Sequence, residues 1–224
     1  MTGAGSRYKN SEMMEEKKIR EIEEYIERPE FLNAYQDAMD HVLNHVERIN
    51  QELYQLAGRE VIDQVSFRIK SAKSIYKKLI HKKLPLTTES IDKELVDVAG
   101  VRIVCAFLDD VYRIKERIEA IDDLKILDVR DYIKEPKNSG YQSLHIIVSS
   151  PVGEDSEEGT LVEIQVRTVA MHFWAKLDHQ LTYKMVESEE AADIRQELKV
   201  YANEIAGIDK KMLKIRKEIE KLKL

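Results

Sequence analysis

The sequence predicts an α/β chain of the α+β kind: a mixed β-sheet flanked by helices, with long helices at both ends. Three patterns carry this expectation. Residues 101–107 are almost all apolar, as a strand buried on both faces must be. Residues 161–167 alternate strictly, with Val162, Ile164 and Val166 on one side and Glu163, Gln165 and Arg167 on the other, which is the pattern of a strand with one covered face. Both ends instead repeat apolar residues every three or four positions, the spacing of an amphipathic helix.

Taken in order, Ser11 is placed to cap a first helix with Ile19, Ile22 and Ile26 on one face and Pro29 ending it. A longer helix follows from about Glu30, its stripe made by Val42, Val46, Ile49, Leu53 and Leu56, with Gly58 just beyond. A third helix is expected over roughly 66–81, with Ile69, Ala72, Tyr76, Leu79 and Ile80 inward and a basic outer face. The core then alternates: a strand at 101–107, a helix at 109–121 and a strand at 124–133. The turn Pro136-Lys137-Asn138-Ser139-Gly140 leads into a strand at 141–150. A polar, acidic loop at 151–159, the strand at 161–167 and a helix at 168–184 follow. Finally Ile194, Leu198, Tyr201, Ile205, Ile208, Met212, Ile215, Ile219 and Leu222 step by four and three, a coiled-coil-like seam. That seam would either pack on its own domain or join copies of the chain.

The 224 residues are 43% hydrophobic and 35% charged, with a net charge of -6, which argues against a protein that coats nucleic acid along its length. The one cysteine, Cys105, lies inside the apolar run and reads as a buried, reduced thiol. This fits a reducing, cytoplasmic setting. No apolar run reaches the eighteen residues of a membrane span, so no membrane contact is expected. Residues 1–10 lack the apolar core of a signal peptide and read as an unstructured start.

The residue types that carry chemistry gather in the central part. If the strands at 141–150 and 161–167 share a sheet, one face collects Tyr141, Ser143, His145, Glu163, Gln165 and Arg167, a platform suited to a base and its sugar. An aromatic ring stacked on a base there would contribute about 1–3 kcal/mol. Arg68, Lys70, Lys73, Lys77, Lys78, His81, Lys82 and Lys83 crowd one segment of an otherwise acidic chain, as a polyphosphate site would require. Asp97 precedes the buried strand and Arg102 begins it; a carboxylate there can hold Mg²⁺ together with a second one. Neither a GxxxxGK[ST] loop nor a GxGxxG loop occurs. His41 and His45, four apart on the second helix, lack the acidic residue of an HExxH metalloprotease motif and read as surface or seam histidines.

The ordered set Phe67-Arg68-Ile69-Lys70-Ser71-Ala72-Lys73-Ser74 with Lys78, Val96-Asp97-Val98-Ala99-Gly100-Val101-Arg102, Lys137-Asn138-Ser139-Gly140-Tyr141-Gln142-Ser143-Leu144-His145 and Glu163-Ile164-Gln165-Val166-Arg167-Thr168 resembles the synthetase domain of the Rel/Spo family. The length, with helices on both sides, is similar to the small alarmone synthetases. The resemblance implies a nucleotidyltransferase-like fold, with N-terminal helices over 1–60, a catalytic core over 61–186 and an oligomerising heptad helix over 187–224. It implies Mg²⁺-dependent transfer of pyrophosphate from ATP to the ribose 3′-hydroxyl of GTP or GDP, giving AMP and pppGpp or ppGpp. No segment resembles the family's hydrolase domain, so synthesis without hydrolysis is expected.

The resemblance also assigns roles. Arg68, Lys70, Ser74, Lys78 and Arg102 would hold ATP, and His179, in Trp174-Ala175-Lys176-Leu177-Asp178-His179, would contact phosphate. Asp97 would hold Mg²⁺, and Glu163 would complete the metal site or act as base on the 3′-hydroxyl. Tyr141 would stack on guanine, with Lys137, His145 and Gln165 around the acceptor and His172 where relatives carry Asn or Asp. It further implies a homo-oligomer, with a tetramer favoured. Two alternatives stand beside it: the same fold acting on an adenine nucleotide or the 3′ end of tRNA, and a non-enzymatic helical scaffold built on the terminal seams.

Overall fold

The structure is a computed structural model that describes residues 3–151, 159–182 and 188–222. Its elements are α1 (Gly3–Ile26), α2 (Pro29–Ala57), β1 (Ile62–Ile69), α3 (Ala72–Lys82), α4 (Thr88–Glu94), β2 (Ala99–Cys105), α5 (Leu108–Glu119), β3 (Lys125–Asp131), β4 (Leu144–Ser150), β5 (Thr160–Thr168), α6 (Val169–Thr182) and α7 (Glu189–Leu222). The strands form one mixed sheet in the order β1-β2-β5-β4-β3, with β2 and β5 parallel and the other neighbours antiparallel. No helix among the described residues is long and apolar enough to cross a membrane.

Residues paired across neighbouring strands project to the same face. One face carries Val101, Ile103, Ile146, Val148, Ile164 and Val166, all buried. Helices α2 and α5 pack against the sheet and share this core. The α2 stripe of Val42, Val46, Ile49 and Leu53 is buried as its spacing predicts, and each such side chain contributes about 1.5–3 kcal/mol. Leu56 lies outside the stripe and is exposed, because the helix ends at Ala57 and Gly58 turns the chain with φ 61°.

The opposite face carries polar rows. Arg68, Gly100 and Glu163 lie side by side, and so do Ser66, Arg102, Gln165, His145 and Arg130. Gly100 contributes no side chain between Arg68 and Glu163, and this gap opens the floor of a pocket.

The structure corrects several sequence expectations. The helix predicted over 66–81 is two elements: β1, then α3 from Ala72. β1 is an edge strand whose Val65 and Phe67 are exposed, held by its ladder to β2 rather than by burial. On α3 the inward residues are Ala72, Ile75 and Leu79, while Ile80 is exposed. α1 begins at Gly3, so Ser11 lies within it and residues 3–10 are helical. The run from Glu12 is rich in strong helix formers, and extending a helix is easier than starting one. Pro29 opens α2 rather than closing α1, a position its fixed φ and missing N–H suit. β4 starts at Leu144, leaving Tyr141 and Ser143 on the connection before it. Residues 152–158 of the expected acidic loop, and residues 183–184 of the expected helix at 168–184, lie outside the described residues.

α7 reverses the burial that its heptad suggests. Ile194, Tyr201, Ile208, Met212, Ile215 and Ile219 are each about half exposed. Its inward residues are Ala191, Ala202, Asp209 and Arg216. Asp209 accepts a hydrogen bond of 2.7 Å from Thr168 Oγ1 at the end of β5, and Arg216 donates to Asp109 at 2.5 Å. The helix is thus fastened to its domain by small and charged residues, with Leu198 and Ile205 partly buried beside them, and the rest of its apolar seam is exposed. Gly140 meets the same helix: its φ is 87°, and a Cβ there would lie 2.6 Å from Ala202 Cβ.

Candidate active site

At one end of the polar face, three elements converge on Asp97. Lys70 follows β1 directly, its backbone N–H still bonded to Val98 O at 2.9 Å. Its ammonium donates to Asp97 Oδ2 at 2.7 Å, and Lys78, from α3, donates to the same oxygen at 2.8 Å. Burial alone would raise the Asp97 pKa, but the two ammoniums outweigh it and hold the carboxyl below the usual aspartate range. Asp97 Oδ1 is buried and has no hydrogen-bond partner among the described residues. The first turn of α3 stands beside Lys70, with Ser74 exposed and its hydroxyl 3.0 Å from that of Ser71. Free N–H groups at a helix start favour anions.

Arg68, Arg102 and Arg167 crowd the middle of the face. Burial, then the charges of Arg167 and Arg68, push the Arg102 pKa down, while Tyr141 and Glu163 push it up. Arg102 Nε is buried and unpartnered among the described residues. Cations that repel one another around an orphan donor form a site suited to an anion.

Glu163 occupies the centre of a closed hydrogen-bond ring. Its Oε1 accepts from His145 Nδ1 at 2.9 Å, and its Oε2 accepts from Gln165 Nε2 at 2.5 Å. His145 Nε2 in turn accepts from the Tyr141 hydroxyl at 2.9 Å. Arg167 completes the ring: its Nη2 donates to the Tyr141 hydroxyl and, at 2.8 Å, to Gln165 Oε1, while its Nε donates to Ser143 Oγ at 3.3 Å. Burial would raise the Glu163 pKa, but the hydrogen bonds from His145 and from the Gln165 amide carry it below the usual glutamate value. Glu163 is therefore ionised at neutral pH. Both His145 nitrogens and both Gln165 polar atoms are engaged within the ring, so these two side chains position Glu163.

Beyond the ring lies an aromatic corner. Lys137 Nζ sits 4.5 Å from the Tyr132 ring centroid and 4.9 Å from that of Tyr141. The Tyr132 ring stands edge-on to His145 at 5.1 Å. Burial, ahead of nearby cations, lowers the Lys137 pKa, whereas Glu163 raises it. His172, in the first turn of α6, has its pKa lowered by burial and then by Arg102, Arg167 and Lys176, so it is neutral at pH 7. His179 is exposed seven residues further along α6 and lies outside the ring.

Sequence reasoning thus named most of the side chains that meet here but missed two. Arg167 had no assigned role and turns out to tie Tyr141, Ser143 and Gln165 together. Its one signal was its place on the polar side of the alternating strand. Tyr132 was passed over, and only its position at the end of a strand facing Lys137 could have marked it.

A family model described as a region found in RelA / SpoT proteins matches residues 67–188, more than half of the chain. The chain belongs to this RelA/SpoT family. The region spans every site residue from Arg68 to His179, and leaves α1, α2 and the whole of α7 outside. Among members of the family, the chain is 38% identical over 190 residues to GTP pyrophosphokinase YwaC of Bacillus subtilis, covering 84% of this chain and 90% of that one. It is 37% identical to GTP pyrophosphokinase YjbM of the same organism, with coverage of 85% and 89%. Small alarmone synthetase 1 from Bacillus subtilis, solved bound to its product pppGpp, superposes with a TM-score of 0.75 at 36% identity, over 85% of this chain and 96% of that one.

Proposed function

We propose that the chain is a GTP pyrophosphokinase, an enzyme that moves the β,γ-pyrophosphoryl group of ATP to the ribose 3′-hydroxyl of GTP or GDP. The observation that carries this reading is the arrangement of the polar face. Asp97 lies within a cationic end and Glu163 between that end and an aromatic one, an arrangement that would give each nucleotide its own side. The matched family region and the two relatives named as GTP pyrophosphokinases support the same reaction.

In this reading Arg68, Lys70, Ser74, Lys78 and Arg102 bind the donor phosphates, with His179 at their outer edge. Lys137 and Tyr141, joined by Tyr132, hold the acceptor base, and His172 borders it. Glu163, fixed by His145 and Gln165, accepts the 3′-hydroxyl proton as that oxygen bonds to the β-phosphorus. The bond between the β-phosphorus and the bridging oxygen on the α side then breaks, and its electrons leave with AMP. A Mg²⁺ ion fits the donor set, since the buried Asp97 Oδ1 has no donor among the described residues and both candidate ligands are hard carboxylate oxygens. When bound, it would be held by Asp97 and Glu163 and would neutralise charge on the donor phosphates.

The test is acceptor competition. Purified protein with Mg²⁺ and ATP is offered GTP, GDP, an adenine nucleotide and uncharged tRNA together. The expected result is AMP release coupled to a 3′-diphosphate on guanosine. Products carrying the new group only on adenosine or on tRNA would replace the proposed acceptor, and no AMP release with any acceptor would favour the scaffold alternative.

We further propose that the exposed α7 seam joins copies of the chain, with a tetramer favoured, in a cytoplasmic setting that suits the buried, reduced Cys105. Light scattering should give a mass above that of the monomer, and Ile208→Asp with Ile215→Asp should reduce it. A monomer at micromolar concentration would refute the assembly.

A further inference from the structure

His41 and His45 are not simple surface residues. They lie one helical turn apart on α2, and Asp123 reaches them from the turn between α5 and β3. His41 Nε2 is 3.0 Å from Asp123 Oδ2, His45 Nε2 is 3.1 Å from Asp123 Oδ1, and the two Nε2 atoms are 3.3 Å apart. Hydrogen bonding cannot satisfy all three contacts at once. Each contact to the carboxylate needs a proton on its Nε2, whereas the contact between the imidazoles needs one Nε2 bare. With both protonated, two N–H groups oppose each other; with one bare, a lone pair opposes the carboxylate.

A cation at the centre removes this conflict, because all three groups would direct lone pairs toward it. The dimensions agree. For bonds of about 2.0–2.1 Å in a tetrahedral site, neighbouring ligand atoms are separated by about 3.3–3.4 Å. The separation of the two Nε2 atoms therefore matches one edge of such a tetrahedron, and each Nε2 has its own oxygen of the Asp123 carboxylate 3.0–3.1 Å away. His41 also has the outer partner that metal-binding histidines use: its Nδ1 is 2.8 Å from Oγ of the fully buried Ser150. That contact fixes the ring and leaves Nε2 for the ion. A cavity of ≈ 780 Å³, lined by His45 and Asp123 together with Arg48, Gln51, Glu52 and Asp122, borders the cluster.

We propose that His41, His45 and Asp123 bind a divalent ion of the zinc type, with a water or a small anion as fourth ligand. Two imidazoles and one carboxylate are the donors of such an ion rather than of Mg²⁺. The site is separate from the catalytic carboxylates. Ser150 shares the sheet face of Ile146 and Val148, which α2 covers, while Glu163 and Asp97 belong to the opposite side. Bound there, the ion would fasten α2 to the α5–β3 turn, and the proposal does not depend on the reaction assigned above.

The experiment is metal binding by the full chain, stripped with chelator and given Zn²⁺ without nucleotide or Mg²⁺. One zinc per chain should survive desalting, and Co²⁺ in its place should show the intense visible bands of four-coordinate cobalt. His41→Gln with His45→Gln should abolish both signals, Asp123→Asn should weaken binding, and Ser150→Ala should weaken it by about 10–100-fold. Turnover with Mg²⁺ should persist in these variants, which separates loss of the ion from loss of the fold. The proposal is overturned by zinc retained equally in the double variant, by none retained in the parent chain, or by a cobalt spectrum that matches the aqueous ion.

Discussion

Glu163→Gln is expected to lower kcat by about a thousandfold, within the range that a positioned acid–base group provides. The substitution keeps the shape and removes the charge. It also puts an NH₂ against a donor, because Oε1 faces His145 Nδ1 and Oε2 faces Gln165 Nε2. The ring has a way to adapt: His145 can move its proton to Nε2, where the Tyr141 hydroxyl can accept. Folding should therefore survive with a lower Tm, by about 2–4 °C for each kcal/mol lost in a chain of this size. AMP release measures the first effect and a circular dichroism melt the second. Turnover close to that of the parent chain would remove Glu163 from the reaction. The pH dependence supplies an independent check. Because the folded pKa of Glu163 is depressed, its ionised form and the stability tied to it persist above the ordinary glutamate value and disappear only as pH falls through the lower folded value. Any loss of rate near neutrality must then come from another group.

What the sequence revealed follows from which forces leave a pattern in it. The α2 stripe and β5 were legible because burial imposes a period of 3.6 or 2, and both elements have one side against the core. β1 was not. Its stability comes from backbone pairing with β2, and its Val65 and Phe67 are exposed at the sheet edge, so the helical spacing of Ile69, Ala72 and Tyr76 dominates the local pattern. The difference matters at the site, because the sequence pattern puts Arg68 and Lys70 on a helix face, whereas they project from a strand and its end. α7 shows the converse: its period was right and its direction was not, since Asp209 and Arg216 find buried partners in distant residues that no local pattern records. The site was legible in its residue types, while its wiring depended on strand register. Nothing in the sequence says that Arg167 reaches Tyr141, 26 residues earlier in the chain. The same holds for His41 and Asp123, 82 residues apart, which become neighbours only when α2 crosses the sheet.

Asp97→Asn should be nearly as damaging, and its signature should differ. In the folded chain the Asp97 carboxylate is the shared counter-ion of Lys70 and Lys78, and its second oxygen has no hydrogen-bond partner among the described residues. An amide keeps one acceptor for the two ammoniums but loses the charge that a hard cation requires. If Asp97 holds Mg²⁺, the Mg²⁺ concentration for half-maximal rate should rise and kcat should fall by at least about 100-fold, since even outer partners of metal ligands are worth about 10–100-fold. The KM for ATP should not rise in step, because the substitution frees two lysines to meet the donor phosphates. A purely structural role predicts instead a raised KM and an unchanged Mg²⁺ dependence, while a lower Tm is common to both roles. The folded Asp97 pKa lies below the usual aspartate range, so the stability this carboxylate contributes is present above that range and is lost as pH falls through the folded value. The variant should accordingly lose stability at neutral pH and approach the parent chain as the solution is acidified. Rates measured across a Mg²⁺ series, with melts at two pH values, decide between the two roles, because only a metal-binding Asp97 couples the loss of rate to the ion.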